Sequence, residues 1–242
     1  MTSEGRALKT IQALVWLMPQ SRLKLSLLRA FGHTIARHVV VGPNLVWGCS
    51  HFDMKSGVKV GPFNVFRDLR SVMLNGDNLI GSWNWFSAAR AYQDFDGNAG
   101  ALELGSGSFI TSRHYLDCSG RIQIGQMSGI AGVRSVFQTH EIDVVENVTT
   151  IGHITIGNYC FVSSNCLALK GSNLPHRSLL AAGSLLTKQA ATSEMRSGLW
   201  AGRPAKNVKG MTGAWFDREE PHTWVNQNVK LDAAIVDSDE VC

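Results

Sequence analysis

The chain has 242 residues, 44% of them hydrophobic, and a formal net charge of +4. That is enough apolar material for one large domain with appendages, and the basic residues form no dense run that argues for nucleic acid; a small anionic ligand suits the charge equally well. Five cysteines (Cys49, Cys118, Cys160, Cys166 and Cys242) form no CxxC pair and are odd in number. They match neither a disulfide framework nor a zinc site, and the expectation is a reducing cytosol.

In residues 1–38 the spacing predicts two amphipathic helices. Leu8, Ile11, Val15 and Met18 recur at helical intervals before Pro19, and Leu23, Leu27, Leu28 and Phe31 do so before Gly32, with Lys9, Arg22, Lys24 and Arg29 interleaved. Packing against the main domain is the expected role, and an interfacial pair touching anionic lipid is the alternative. The apolar run IQALVWLM is too short to span a bilayer, and MTSEGRALKT leads to no small-residue cleavage site. A cytoplasmic protein follows, with at most peripheral contact at the inner face of the membrane.

The main domain is expected over residues 39–209. Residues 39–100 hold loose repeats, Val41-Gly42, Val60-Gly61, Leu74 and Ile80-Gly81, interrupted by SWNWFSAARAYQDF. Residues 101–189 are regular: Leu104, Ile110 and Leu116, then a slip of two residues at Ile122, then Ile124, Ile130 and Val136. The repeat stops at FQTHEIDVVENVTT and resumes through Ile156, Val162, Ala168, Leu174, Leu180 and Leu186. A period of six fits neither a helix nor a simple strand, but it fits a solenoid coil of three flat faces with one inward aliphatic on each. Periodicity alone leaves the hand open. A C-terminal extension, residues 210–242 with Trp215, Phe216 and Trp224, either packs on a neighbouring copy or frays.

These phased repeats, with LLAAGSLLTK and LWAGRPAKNVKG at the close, resemble the hexapeptide-repeat acyltransferases, in particular the sugar and polysaccharide O-acetyltransferases. The resemblance covers about Val39 to Lys209 and implies an all-β, left-handed parallel β-helix, against the usual right-handed preference of parallel connections. It also implies acetyl-CoA as co-substrate, a saccharide acceptor, and a homotrimer whose sites lie between subunits. Arg203 stands where the family usually has asparagine before Pro-Ala-Lys.

In that family a histidine leaving the coil deprotonates the acceptor hydroxyl, and His140 matches it. Imidazole titrates near neutrality, so it can take a proton and return it to a leaving thiolate. Either Glu141 or Asp143, with Asp143 preferred, is expected to orient it. Arg113 and His114 are assigned to the acceptor side, with Trp83 and Trp85 as stacking surfaces. The alternatives are a hydrogen-bonded corner for His114 and core or subunit interface for the tryptophans. Ser163, Ser164, Ala181, Ala182 and Gly183 offer small corners for a pantetheine arm, with Thr187 and Lys188 further along. Lys188, Arg203 and Lys206 are expected to cluster as phosphate partners. No metal site is expected, since His33 and His38 precede the repeat and His114, His140 and His153 are scattered. An amine acceptor, a zinc-dependent β-helix and a silent scaffold remain as competing readings.

Overall fold

A computed structural model describes residues 3–188 and 196–221. Two helices, α1 (Ser3–Leu17) and α2 (Arg22–Ala30), precede a solenoid whose first strand is Thr34–Ile35. Its coils consist of three short strands, and strands from successive coils pair in parallel to build three faces. Face 1 runs from Thr34–Ile35 to Asn173–Leu174, face 2 from Val40–Val41 to Leu199–Gly202, and face 3 from Leu45–Trp47 to Leu185–Leu186. This is the left-handed parallel β-helix implied by the hexapeptide repeat.

The repeat positions read from the sequence point inward. Val41, Val60, Leu74 and Ile80 are buried in the earlier coils, as are Leu104, Ile110, Leu116, Ile124, Ile130 and the series Ile156 to Leu186 in the later ones. One position differs. Phe137 is buried and Val136 is not, because the corner Gly132-Val133-Arg134 carries an extra residue and shifts the inward register by one. Face 1 strands are long enough to turn two side chains inward, as with Phe52 and Met54 or Ile154 and Ile156. Phe66 stacks on Phe86 with ring centroids 4.6 Å apart, which fills the axis of the wider early coils.

Two-residue strands supply few ladder bonds, and a side-chain ladder at the corner from face 2 to face 3 adds more. At this corner Phe63, Trp83, Arg113, Arg134, Asn165 and Gly183 all have positive φ, between 62° and 72°. The residue after each accepts or donates along the axis. Asn64 N donates to Asn44 Oδ1 at 2.7 Å, Asn84 N to Asn64 Oδ1 at 2.9 Å, His114 N to Asn84 Oδ1 at 2.9 Å, and Ser135 N to His114 Nδ1 at 3.2 Å. Left-handed non-glycine residues are unfavourable by themselves, and these buried bonds offset that cost.

The helices cap the open N-terminal end of the core. Trp16 is fully buried against Phe52, with centroids 4.5 Å apart. The expected apolar rows are split: in α1 Val15 is buried with Trp16 while Leu8 and Ile11 are exposed, and in α2 Leu28 is buried while Leu23 is exposed. Lys24 is also fully buried, and its Nζ donates to the carbonyls of Trp16, Met18, Val41 and Gly42 at 2.7–3.2 Å. Burial pushes its pKa down to about 8, so at neutral pH it remains an ammonium. At the other end Leu199–Gly202 pairs antiparallel with Ala205–Lys209. Then α3 (Ala214–Asp217) folds back on its own chain: Phe216 is buried, Trp215 meets Phe161 edge-on at 5.1 Å, and the Arg218 guanidinium lies 3.7 Å over Trp215. Trp224 lies outside the described residues.

Replacing Lys24 by Met leaves buried carbonyls without a donor and is expected to cost about 3 kcal/mol. Thermal denaturation of K24M beside the parent chain measures it.

Candidate active site

Two excursions leave the β-helix from one corner, where face 3 passes to face 1. The first, within SWNWFSAARAYQDF, contains a 3-10 turn at Arg90–Asp94. The second is the segment around His140, expected as a loop and found as a hairpin: His140–Asp143 pairs antiparallel with Val148–Ile151. The coil between them makes the same corner tightly, through Asp117, Cys118, Ser119 and Gly120. A Cβ on Gly120 would lie 1.9 Å from the Gly152 carbonyl oxygen, so this close approach requires glycine where the hairpin rejoins the coil.

The carboxylate that holds His140 is Asp117. Its Oδ2 lies 2.7 Å from His140 Nδ1, while neither Glu141 nor Asp143 contacts the ring. Glu141 instead pairs with Lys170 Nζ at 3.0 Å, and Asp143 Oδ1 accepts the N–H groups of Val145 and Glu146 in the hairpin turn. The reason is the hairpin itself, which directs both acids away along the excursion while the coil below supplies the partner. Asp117 precedes His140 by 23 residues but sits one coil away, in register with Gln138.

Asp117 is 6% exposed and its oxygens are surrounded by donors. Oδ1 accepts from Ser119 N at 3.2 Å and Ser119 Oγ at 2.6 Å, and Oδ2 also accepts from Thr139 N at 3.1 Å. The buried Thr139 hydroxyl accepts from Gly120 N at 2.7 Å and donates to the Asp117 carbonyl at 2.8 Å. A carboxylate held so rigidly fixes the imidazole plane. Accepting from Nδ1, it assigns the neutral ring a lone pair on Nε2. The His140 side chain is 38% exposed and, with Arg67, Ser87, Tyr115 and Ser119, lines a cavity of about 260 Å³. The ring of Tyr92, from the first excursion, lies 5.6 Å from the imidazole. Asp117, Tyr115, Arg67, Ser87, Ser119 and Tyr92 were not identified from the sequence. Only Asp117 left a signal there, as an acid following an inward repeat residue.

The remaining candidates fall elsewhere. His114 is 2% exposed and is a rung of the corner ladder, with Nε2 at 2.9 Å from Thr111 Oγ1. Its ring is enclosed between coils, where its nitrogens take the place of an asparagine amide. Burial pushes its pKa down to about 4, as it does for His33, where nearby His51 adds to the effect. Arg113 and Trp83 occupy the left-handed corner at the far edge of face 3, and Trp85 projects from that face beside Tyr115. Ser163, Ser164, Ala181, Ala182 and Gly183 line that same far corner, where Gly183 has open space around it. Arg203 closes this track, its Nε donating to the Gly183 carbonyl at 2.7 Å.

Lys188 does not join Arg203. With Thr187 it follows Leu185–Leu186 out of face 3, and its methylenes pack against Gly171 at the His140 corner. Lys206 opposes Ala201 in the terminal hairpin. Among the described residues no three His, Cys, Asp or Glu side chains converge as metal ligands. The Cys49 and Cys160 thiols are pushed up to about 12 by burial and are neither nucleophiles nor ligands in this state. Among the described residues no helix is long and apolar enough to cross a membrane.

No family model and no curated protein matches the chain. Solved structures do. AntD, an N-acyltransferase from Bacillus cereus solved as a point mutant with dTDP-4-amino-4,6-dideoxyglucose and coenzyme A, is similar with a TM-score of 0.52 at 10% identity, over 81% of this chain and 92% of that one. A hexapeptide-repeat containing acetyltransferase from Vibrio cholerae, complexed with acetyl coenzyme A, gives 0.43 at 17% identity, over 88% and 92%. The polySia specific acetyltransferase NeuO gives 0.39 at 14%, over 74% and 82%. At these identities the AntD likeness establishes the fold, the β-helix already described.

The two buried histidines make stability acid-sensitive. Unfolded, each takes a proton near 6.5, and folded only near 4, so the unfolded chain binds more protons between these values. Stability is therefore full above pH 6.5 and falls as the pH drops to 4, by about 3 kcal/mol for each histidine. Denaturant unfolding at pH 7 and pH 4.5 tests this, and H114N, which keeps an acceptor for Ser135 N, is expected to remove the His114 share.

Proposed function

We propose that the chain is an acetyl-CoA-dependent O-acetyltransferase acting on a hydroxyl of a sugar or of a polysaccharide or lipopolysaccharide precursor. The observation that carries this reading is the 2.7 Å contact between Asp117 and His140 at the edge of a cavity. A histidine held by a buried carboxylate, with its other nitrogen toward a cavity, is an arrangement suited to moving one proton.

Acetyl-CoA would supply the thioester whose acyl group is transferred. His140 Nε2 accepts the proton of the acceptor hydroxyl as its oxygen attacks, Asp117 Oδ2 stabilises the imidazolium that forms, and Nε2–H then protonates the leaving sulfur. Thr139 and Ser119 keep Asp117 in place through the cycle. The small residues Ser163, Ser164, Ala181, Ala182 and Gly183 fit a pantetheine arm along the far corner, and Arg203 would meet a phosphate there. Thr187, Lys188 and Lys206 have weaker support, because the structure disperses them.

Within one chain this track and His140 lie at opposite edges of face 3, separated by a three-residue strand of about 10 Å. A homotrimer would set the small-residue corner of one copy beside the hairpin of the next. The outward apolar side chains Leu45, Trp47, Phe63, Trp83 and Trp85, each more than 40% exposed, support burial of this edge between copies. The exposed row Leu8, Ile11 and Leu14 of α1 supports peripheral contact with a membrane at its cytoplasmic face.

His140→Ala is expected to lower transfer by 10²-fold or more, on the order of a general base's contribution, while leaving coenzyme A binding intact. Asp117→Asn should lower kcat with little change in KM for acetyl-CoA. Coenzyme A release with a panel of hydroxyl and amine acceptors measures both, and transfer confined to amines would remove the O-acetyl assignment. A silent scaffold predicts no rise in melting temperature on adding acetyl-CoA, whereas a folded-state ligand raises it.

A further inference from the structure

The cavity at His140 carries a charge that the proton transfer does not use. Arg67 projects outward from face 3 on the same column as Ser87 and Asp117, because Arg67 pairs with Ser87 and Ser87 with Asp117 in the parallel register. Two strand spacings, about 10 Å, therefore separate its backbone from that of Asp117. Arg67 lines the cavity with His140, Ser87 and Tyr115.

Around the cavity two arginines, Arg67 and Arg90, stand against two carboxylates, Asp68 and Asp117, and what differs among the four is which groups are committed. Asp68 Oδ1 is taken by Arg90 Nε at 2.6 Å, and Asp68 Oδ2 stands 3.3 Å from Arg67 Nε. Two arginines thus share one carboxylate. Among the described residues Asp68 is the only partner of Arg67 and engages Nε, so the terminal Nη edge is left for another acceptor. The acid in the cavity lining, Asp117, is spent on Ser119, Thr139 and His140. Asp68 remains anchored between the arginines, and Arg90 is further tied to the Gly48 carbonyl, which leaves Arg67 as the cation that faces the cavity. A planar guanidinium with a free edge matches a carboxylate or phosphate oxygen pair, and Ser87 Oγ and Tyr115 OH, 3.2 Å apart, supply neutral polar contacts between that edge and the imidazole.

We infer that this cavity takes an anionic saccharide, whose carboxylate or phosphate is held by Arg67 about one sugar ring away from the hydroxyl presented to His140. This rests on the acetyltransferase reading of the same site. Neutral sugars lack the group that Arg67 would pair with, and protonated amino sugars meet its charge unfavourably. Arg67 is thereby a specificity-determining residue, and its side chain, 62% exposed, carries no part of the core.

The test is calorimetric titration of the full chain, preloaded with coenzyme A, with glucuronic acid, glucose 1-phosphate, glucose and glucosamine. At least one anionic probe is expected to bind about tenfold more tightly than glucose, as for one charge-assisted pair. Arg67→Gln should erase that difference, and Arg67→Lys should restore part of it, while coenzyme A affinity and melting temperature stay at the parent values. Equal binding of neutral and anionic probes, failure of both anions to bind, or an Arg67→Gln effect on coenzyme A instead of the sugar acid would each overturn the inference. Failure of coenzyme A itself to bind, with the anion preference retained, would overturn the acetyltransferase reading and leave the anionic subsite standing.

Discussion

The corner between face 2 and face 3 is the constraint on which the other features depend. Strands of two or three residues cannot hold a solenoid in phase through their own ladder alone, and here each coil is keyed to the next by a buried side chain. Asn44, Asn64, Asn84 and His114 offer an acceptor to the backbone N–H of the following coil, directly after a residue held at positive φ. Loss of phase by one residue would turn every inward aliphatic outward. The shift from Val136 to Phe137 is absorbed at the corner of Gly132, Val133 and Arg134, one coil beyond His114.

Phase at that corner sets the geometry at the opposite one. Because face 3 stays in register, Ser87, Asp117 and Gln138 lie in one column, and the two excursions that follow Ser87 and Gln138 emerge on either side of the coil of Asp117. The carboxylate can then reach upward to the first residue of the hairpin, and Tyr92 can approach the same imidazole from the other excursion. Gly120 and Thr139 finish the arrangement, one by allowing the Gly152 backbone to come close and the other by bridging Gly120 N to the Asp117 carbonyl. The precision of the His140 position thus comes from rigid coils, with the excursions only borrowing it.

Face 3 also divides the work between its edges. One edge carries the Asp117–His140 pair and Arg67, and the other carries small residues and Arg203. The outward side chains between them are large and apolar, with Trp85 and Tyr115 paired across adjacent strands.

How much of this was readable in the chain follows from the range of each interaction. The inward aliphatics repeat at a fixed local period, so Ile110, Ile130, Val162 and Leu180 announced the solenoid, and the interruption at His140 announced the place where it departs from regularity. The partner of His140 was not readable. Nearness in sequence favoured Glu141 and Asp143, whereas a solenoid makes neighbours of residues a whole coil apart, and only the tertiary register brings Asp117 to the ring. His114 and His140 could not be told apart in the chain for the same reason, since a buried rung and a part-exposed histidine at a cavity look alike until the coils are stacked. Lys188 and Arg203, close in sequence, leave from different corners of the prism. The sequence by itself determined the repeat and the residue that breaks it, because both are local properties of the chain; the tertiary structure alone decided which groups meet, because contact along a β-helix is set by the coil length and the corners, not by sequence distance.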